Sequence, residues 1–169
     1  PLPAICVNDT IFIEVLNTLP PVATDNSTTT LEDNAVTFNV SNDDTDSDGT
    51  IDHSTVDLDP TTPGIQNTFT SAEGTWTVDA NGDVTFTPNT DYNGTGSINY
   101  TVDDNDGATS NIATITVVVN PVNDAPIVDN EYDVTALDTP VGGDLTDAGD
   151  SDVDGNLVVN TTPLSGPSN

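Results

Sequence analysis

Not one lysine or arginine occurs among the 169 residues, against 29 aspartates and glutamates and a single histidine, for a formal net charge of -29. A chain without cationic side chains cannot displace the counterions of a nucleic acid, and an anionic membrane surface repels it. No internal salt bridge between side chains can form, and the compact state repels itself. Positive charge has to come from outside, and divalent cations on clustered carboxylates are its natural source. The alternative is a solvated acidic surface suited to high ionic strength, where a short Debye length mutes the repulsion. Cysteine is nearly absent as well: Cys6 stands alone, so no internal disulfide is possible. With His53 as the only histidine, Cys6 reads as a small apolar residue rather than a nucleophile. No apolar run approaches the roughly 20 residues of a membrane span, and the start resembles no signal peptide. Pro1 to Val7 include no initiating methionine, so the chain reads as processed or cut from something longer.

What is present in quantity is threonine, valine, aspartate and asparagine. Threonine and valine are branched at Cβ and favour strands over helices. Apolar residues alternate over short segments, as disordered acidic tails rarely do. Val36, Phe38 and Val40 share one face, and Val56 and Leu58 belong to a strand ended by Pro60 and the Pro63-Gly64 turn. Trp76 and Val78 lead through Asn81-Gly82, a strong hairpin pair, to Val84 and Phe86. Ile98, Tyr100 and Val102 form a further strand, and Ile112, Ile115, Val117 and Val119 a closing one.

The pattern repeats. Pro21 and Pro126 are 105 positions apart, as are Val36 and Val141, while Asp44 and Asp150 are 106 apart. A unit of that length with some seven short strands is an all-β, Greek-key, immunoglobulin-like β-sandwich. The expected division is 1–20 as the closing strand of a preceding repeat (Thr10 to Asn17) plus linker, and 21–120 as a complete sandwich. A linker over 121–125 follows, then 126–169 as the incomplete opening of the next repeat.

The sharpest chemical signal is Asp44-Thr45-Asp46-Ser47-Asp48-Gly49-Thr50-Ile51, echoed by Asp150-Ser151-Asp152-Val153-Asp154-Gly155-Asn156-Leu157. Aspartates on alternate residues wrap hard oxygen ligands round a cation of calcium's size. The glycine is expected to permit a sharp bend, and the apolar residue two later to tuck the loop's end into the core. An EF-hand would end in glutamate at the twelfth position, where Thr55 and Thr161 stand instead, so affinity belongs toward the weak end, roughly 10⁻⁴ to 10⁻³ M. The competing reading is a turn rich in aspartate because aspartate suits turns. Asp103, Asp104 and Asp106, with Asn105 and Gly107, make a second cluster that is either a metal site or a plain hairpin loop. Asp79 to Asp83 reads as the hairpin turn itself. No carboxylate pair is placed for glycoside chemistry, since the acids crowd into turns. His53 is an incidental surface residue or an extra ligand, and the sequons at Asn26, Asn93 and Asn99 are expected by chance in this composition.

Glu32-Asp33-Asn34, the Asp44 to Gly49 loop, Asp91-Tyr92-Asn93-Gly94-Thr95-Gly96-Ser97-Ile98-Asn99-Tyr100-Thr101-Val102 and Asn120-Pro121-Val122-Asn123-Asp124-Ala125-Pro126 together resemble the bacterial cadherin-like tandem repeats of large surface adhesins. The resemblance spans about Thr10 to Leu157. It implies a secreted, bacterial cell-surface array of sandwiches stiffened by calcium (Ca2+), without enzymatic activity. In cadherins the ion between domains is held by an Asp-x-Asn-Asp-Asn linker, a glutamate of the preceding domain and an Asp-x-Asp of the next. Asn123 and Asp124 match the linker's central pair and Glu32 the glutamate, whereas Pro121 replaces the first aspartate, and the first junction, Thr18-Leu19-Pro20-Pro21, has no acid. The expected role is a spacer or stalk, with a calcium-dependent glycan- or protein-binding module as the alternative. Expected partners are neighbouring repeats, or head-to-tail copies joined by strand addition into a filament. A surface glycan or protein is a further candidate ligand.

Overall fold

β-branched residues on alternating positions give strands with one apolar face, and such faces are stable only when two sheets bury them against each other. The computed structural model describes residues 19–127 and 150–155. It places eight strands there: β1 (Asn26–Leu31), β2 (Val36–Asn39), β3 (Ile51–Asp57), β4 (Thr68–Thr70), β5 (Gly74–Val78), β6 (Asp83–Pro88), β7 (Gly94–Asp104) and β8 (Ala113–Asn120). One sheet has the order β1-β8-β7-β3, the other β2-β6-β5-β4. The described residues contain no helix, hence none long and apolar enough to cross a membrane. The expected all-β sandwich is therefore present. The expected strand Thr10 to Asn17 lies outside the described residues, as does most of 126–169.

Between the sheets sit Trp76, Phe86, Tyr100, Val84, Val102, Ile115 and Val117, each with no exposed surface. Trp76 and Phe86 stack with ring centroids 4.1 Å apart, and the indole N–H donates to Ser71 Oγ at 3.4 Å. The hairpin between β5 and β6 forms where Asn81-Gly82 places it. Gly82 has φ +78, and Asp79 Oδ1 accepts the amides of Asn81 and Asp83 at 2.8 and 3.1 Å.

Two strands carry no apolar alternation and are found by pairing alone. β1, with sequence NSTTTL, lies parallel to β8 with Thr28 opposite Val117, and β4 is three residues long. The parallel pairing of β1 and β8 has a further consequence. Both strands end at the same pole, with Leu31 opposite Asn120, and β7 begins there, with Gly94 opposite Val119. The crossing from β1 to β2, the crossing from β6 to β7 and the exit of β8 therefore meet at one end of the sandwich.

Candidate metal centre

Each of the three segments meeting at that pole carries acids: Glu32 and Asp33 after β1, Asp91 before β7, and Asp124 after β8. Glu32 is 2% exposed. Its carboxylate accepts the Val122 amide through Oε1 and the Asn93 side chain through Oε2 at 3.4 Å, tying the β8 exit to the two crossings. Asp33 Oδ1 accepts the Asp91 amide at 3.1 Å. Asp33 and Asp91 both have φ 58, the left-handed region that aspartate tolerates better than most residues, and they are the only non-glycine residues there among those described. The turn of the following loop is brought up by an antiparallel bridge between Ile127 and Ser151, and Asp154 Oδ2 accepts the Asp124 amide.

The result is two overlapping groups of carboxylates. Oxygens of Glu32, Asp124 and Asp154 lie within 4.8 Å of one another, and so do oxygens of Asp33, Asp91 and Asp124. Asp124 belongs to both, and its Oδ2 is buried without a hydrogen-bond partner. Burial, followed by the charges of Asp154, Asp91, Glu32 and Asp33, raises its pKa above the ordinary aspartate value. Five carboxylates, an orphaned oxygen and no cationic side chain anywhere in the sequence make a donor set of hard oxygens that fits a divalent cation of the calcium or magnesium type. The residues present fit the ion that the sequence implies.

Of the loops singled out in the sequence, the second contributes Asp154 to these groups, and the first does something different. Asp44, Asp46 and Asp48 do not converge, because each is turned to a separate task. Asp44 points inward, accepting the Thr24 amide at 2.8 Å and lying 3.0 Å from the Tyr100 hydroxyl, which also reaches the carbonyls of Thr24 and Val40 at 2.9 and 2.8 Å. Burial raises Asp44 above the usual aspartate value and pushes the Tyr100 phenol far up, so the phenol stays a neutral donor. Asp46 Oδ1 caps the Asp48 amide, and Asp48 Oδ2 accepts the amide of Leu19 at 3.1 Å. Gly49 does lie in a bend, over residues 47–49. Its φ is not in the left-handed region, and what it provides is space, since a Cβ there would collide with Asn105 and Asp46.

The second copy repeats the last two of these bonds. Asp152 Oδ1 caps the Asp154 amide, Asp154 faces the linker, and Asp150 falls in neither carboxylate group. Asp103, Asp104 and Asp106 sit at the opposite end of β7, about 35 Å from Asp91 for an 11-residue strand. There Asp104 Oδ1 accepts the amides of Asp106 and Ala108 at 2.8 and 2.9 Å, and Asp103 accepts the Thr109 hydroxyl at 2.6 Å, so these acids build a turn. Asn123 is exposed and bonds the carbonyl of Asp124. His53 Nδ1 is 2.7 Å from Ser41 Oγ, and Ser41 is 1% exposed, out of reach of a substrate.

Asp33 and Asp91 were not among the candidate ligands drawn from sequence. Their only signal was membership of the segments that carry the family resemblance.

The raised groups set a pH dependence. Asp44 and Asp124 bind a proton more readily folded than unfolded. The stability they contribute is present below the ordinary aspartate value and is lost as pH rises through their raised values. Asp59, Glu73 and Asp79 are lowered by hydrogen bonds from Thr61, Ser71 and the Asn81 amide respectively, so they act the other way, but only as pH falls through and below the ordinary carboxylate range. In a chelator, the thermal midpoint is expected to be higher in mild acid than at neutral pH. A midpoint that climbs steadily to neutrality would contradict this.

Residues 18–121 match the family model described as bacterial cadherin-like domain. Among curated proteins none matches the chain.

Proposed function

Because the chain belongs to the bacterial cadherin-like domain family, we propose that it is a structural repeat of an extracellular bacterial adhesin or surface filament, a spacer whose junction is stiffened by calcium. The observation that carries this reading is the meeting of Glu32, Asp33, Asp91 and Asp124, at the pole where β8 leaves the sandwich, with Asp154, which lies in the echo of the first acidic loop. Glu32, Asp124 and Asp154 would hold one ion and Asp33, Asp91 and Asp124 a second, with Asp124 between them. Calcium bound there supplies the positive charge that the chain lacks. The protein's own part is to pre-position the donors: Glu32 is fixed by the Val122 amide and Asp33 by the Asp91 amide. The linker is already in register with the following loop through the bridge between Ile127 and Ser151.

A spacer is favoured over a glycan-binding module by where the aromatic residues lie. Trp76 and Tyr100 are fully buried and Tyr92 packs against the core, so these rings offer no flat platform to a sugar. A non-catalytic role agrees with the family and with a histidine committed to a buried serine. The partners of such a spacer are neighbouring repeats of the same chain or head-to-tail copies.

Thermal unfolding in calcium and in chelator tests the reading. At calcium 100 times the dissociation constant each bound ion should add about 2.7 kcal/mol. An unchanged midpoint would sink the proposal.

A further inference from the structure

Away from the acidic pole, a groove of about 410 Å³ lies over the outer face of β3 and β7. Its floor is made by Asp57 and Thr101, opposite each other across the two strands, with Asp103 two residues further along β7. Tyr100 and Val102 are buried between the sheets, so Thr101 and Asp103 project from the other face. The loop between β3 and β4 brings Ile65 to one side of the groove, and the loop between β7 and β8 brings Ile112 to it as well. These isoleucines are 49% and 60% exposed. The polar groups on the floor have unused capacity. Thr101 is 7% exposed, yet its hydroxyl makes no hydrogen bond among the described residues. Asp57 accepts the amides of Asp59 and Gln66 through Oδ1, and Asp103 accepts the Thr109 hydroxyl through Oδ1, so the Oδ2 of each has no hydrogen bond among those residues.

We propose that this groove is a docking site for an arginine side chain on a segment of another protein. Two carboxylate oxygens and a hydroxyl, spread over two strands, suit a cation with several donors, and a guanidinium carries five N–H groups in a fixed fork. Its aliphatic stem and apolar neighbours in the same segment would cover Ile65 and Ile112. A metal ion would gain nothing from those apolar sides, and Asp57 and Asp103 fall in neither carboxylate group at the pole. The sequence contains no lysine or arginine, so a second copy of it supplies no such side chain and the partner is a different protein. The contact lies outside the candidate metal centre and is independent of calcium.

Titration of the whole chain with acetyl-Leu-Arg-Leu-amide, followed by amide NMR shifts, tests this. Saturable binding is expected, with the largest shifts at Ile65, Thr101, Asp103 and Ile112. The same peptide with citrulline, which keeps the shape and loses the charge, should bind at least about tenfold more weakly. Thr101→Val keeps the net charge and the β-branched shape but removes the hydroxyl, and should weaken binding about tenfold. Ile112→Ala, at an exposed position, should weaken it about threefold. Unchanged shifts of core amides such as Val117 show that each variant folds. The general attraction of a cation to a chain of charge -29 is the same in all three proteins, so equal affinity in both variants would overturn the proposal. Equal binding of the citrulline peptide, shifts centred on Asp91 and Asp124, or no saturable binding would overturn it too.

Discussion

Replacing Asp124 by asparagine is expected to push stability in opposite directions with and without calcium. The substitution keeps the shape and one acceptor oxygen but removes the negative charge common to both carboxylate groups. In chelator, the burial cost of a charge and the repulsion that together raise Asp124's pKa disappear, so the variant should unfold at a higher temperature than the natural chain. In calcium, both candidate sites lose a charged ligand at once. Loss of an outer-shell partner alone costs a metal site about 10- to 100-fold in affinity, so loss of a shared direct ligand should cost at least about 100-fold. Calcium titrations followed by unfolding midpoint should show the two curves crossing. A variant destabilised in both conditions would mean that Asp124 acts only as a piece of the fold.

The other large effect is independent of the metal. Trp76 is wholly buried against Phe86, and truncation to alanine should cost about 3–5 kcal/mol, much of the roughly 5–15 kcal/mol that holds an ordinary domain together. Because Trp76 sits between the sheets against Phe86 and belongs to neither carboxylate group, the loss should be the same in calcium and in chelator. Denaturant unfolding in both conditions measures it. A loss confined to the calcium-free protein would show that the core and the junction are coupled in a way the packing does not suggest.

Much of the sandwich is legible in the sequence because its strands bury one face. Trp76, Val84, Phe86 and Tyr100 fall on alternating positions, and Asn81-Gly82 announces its own turn. β1 is not legible: its Asn26–Leu31 sequence has no apolar period, and it exists as a strand because β8 offers a free edge. The acidic loops show the same split between identity and role. Three aspartates on alternate residues suggest one cation, yet Asp44 is drawn inward by a tyrosine 56 positions away, which no local pattern announces. The pole is harder still. Asp33 and Asp91 are 58 positions apart and meet only because β1 and β8 run parallel and end together. Glu32 and Asp124 were readable through the family resemblance, whose motif encodes that meeting without displaying it.

Calorimetric titration of the natural chain with calcium is the most direct test of the junction. Saturable binding of two ions is expected, with dissociation constants of roughly 10⁻⁴ to 10⁻³ M, and this binding should be lost in Asp124→Asn. Absence of saturable heat, or binding of the same strength in the variant, would contradict a calcium-stiffened junction.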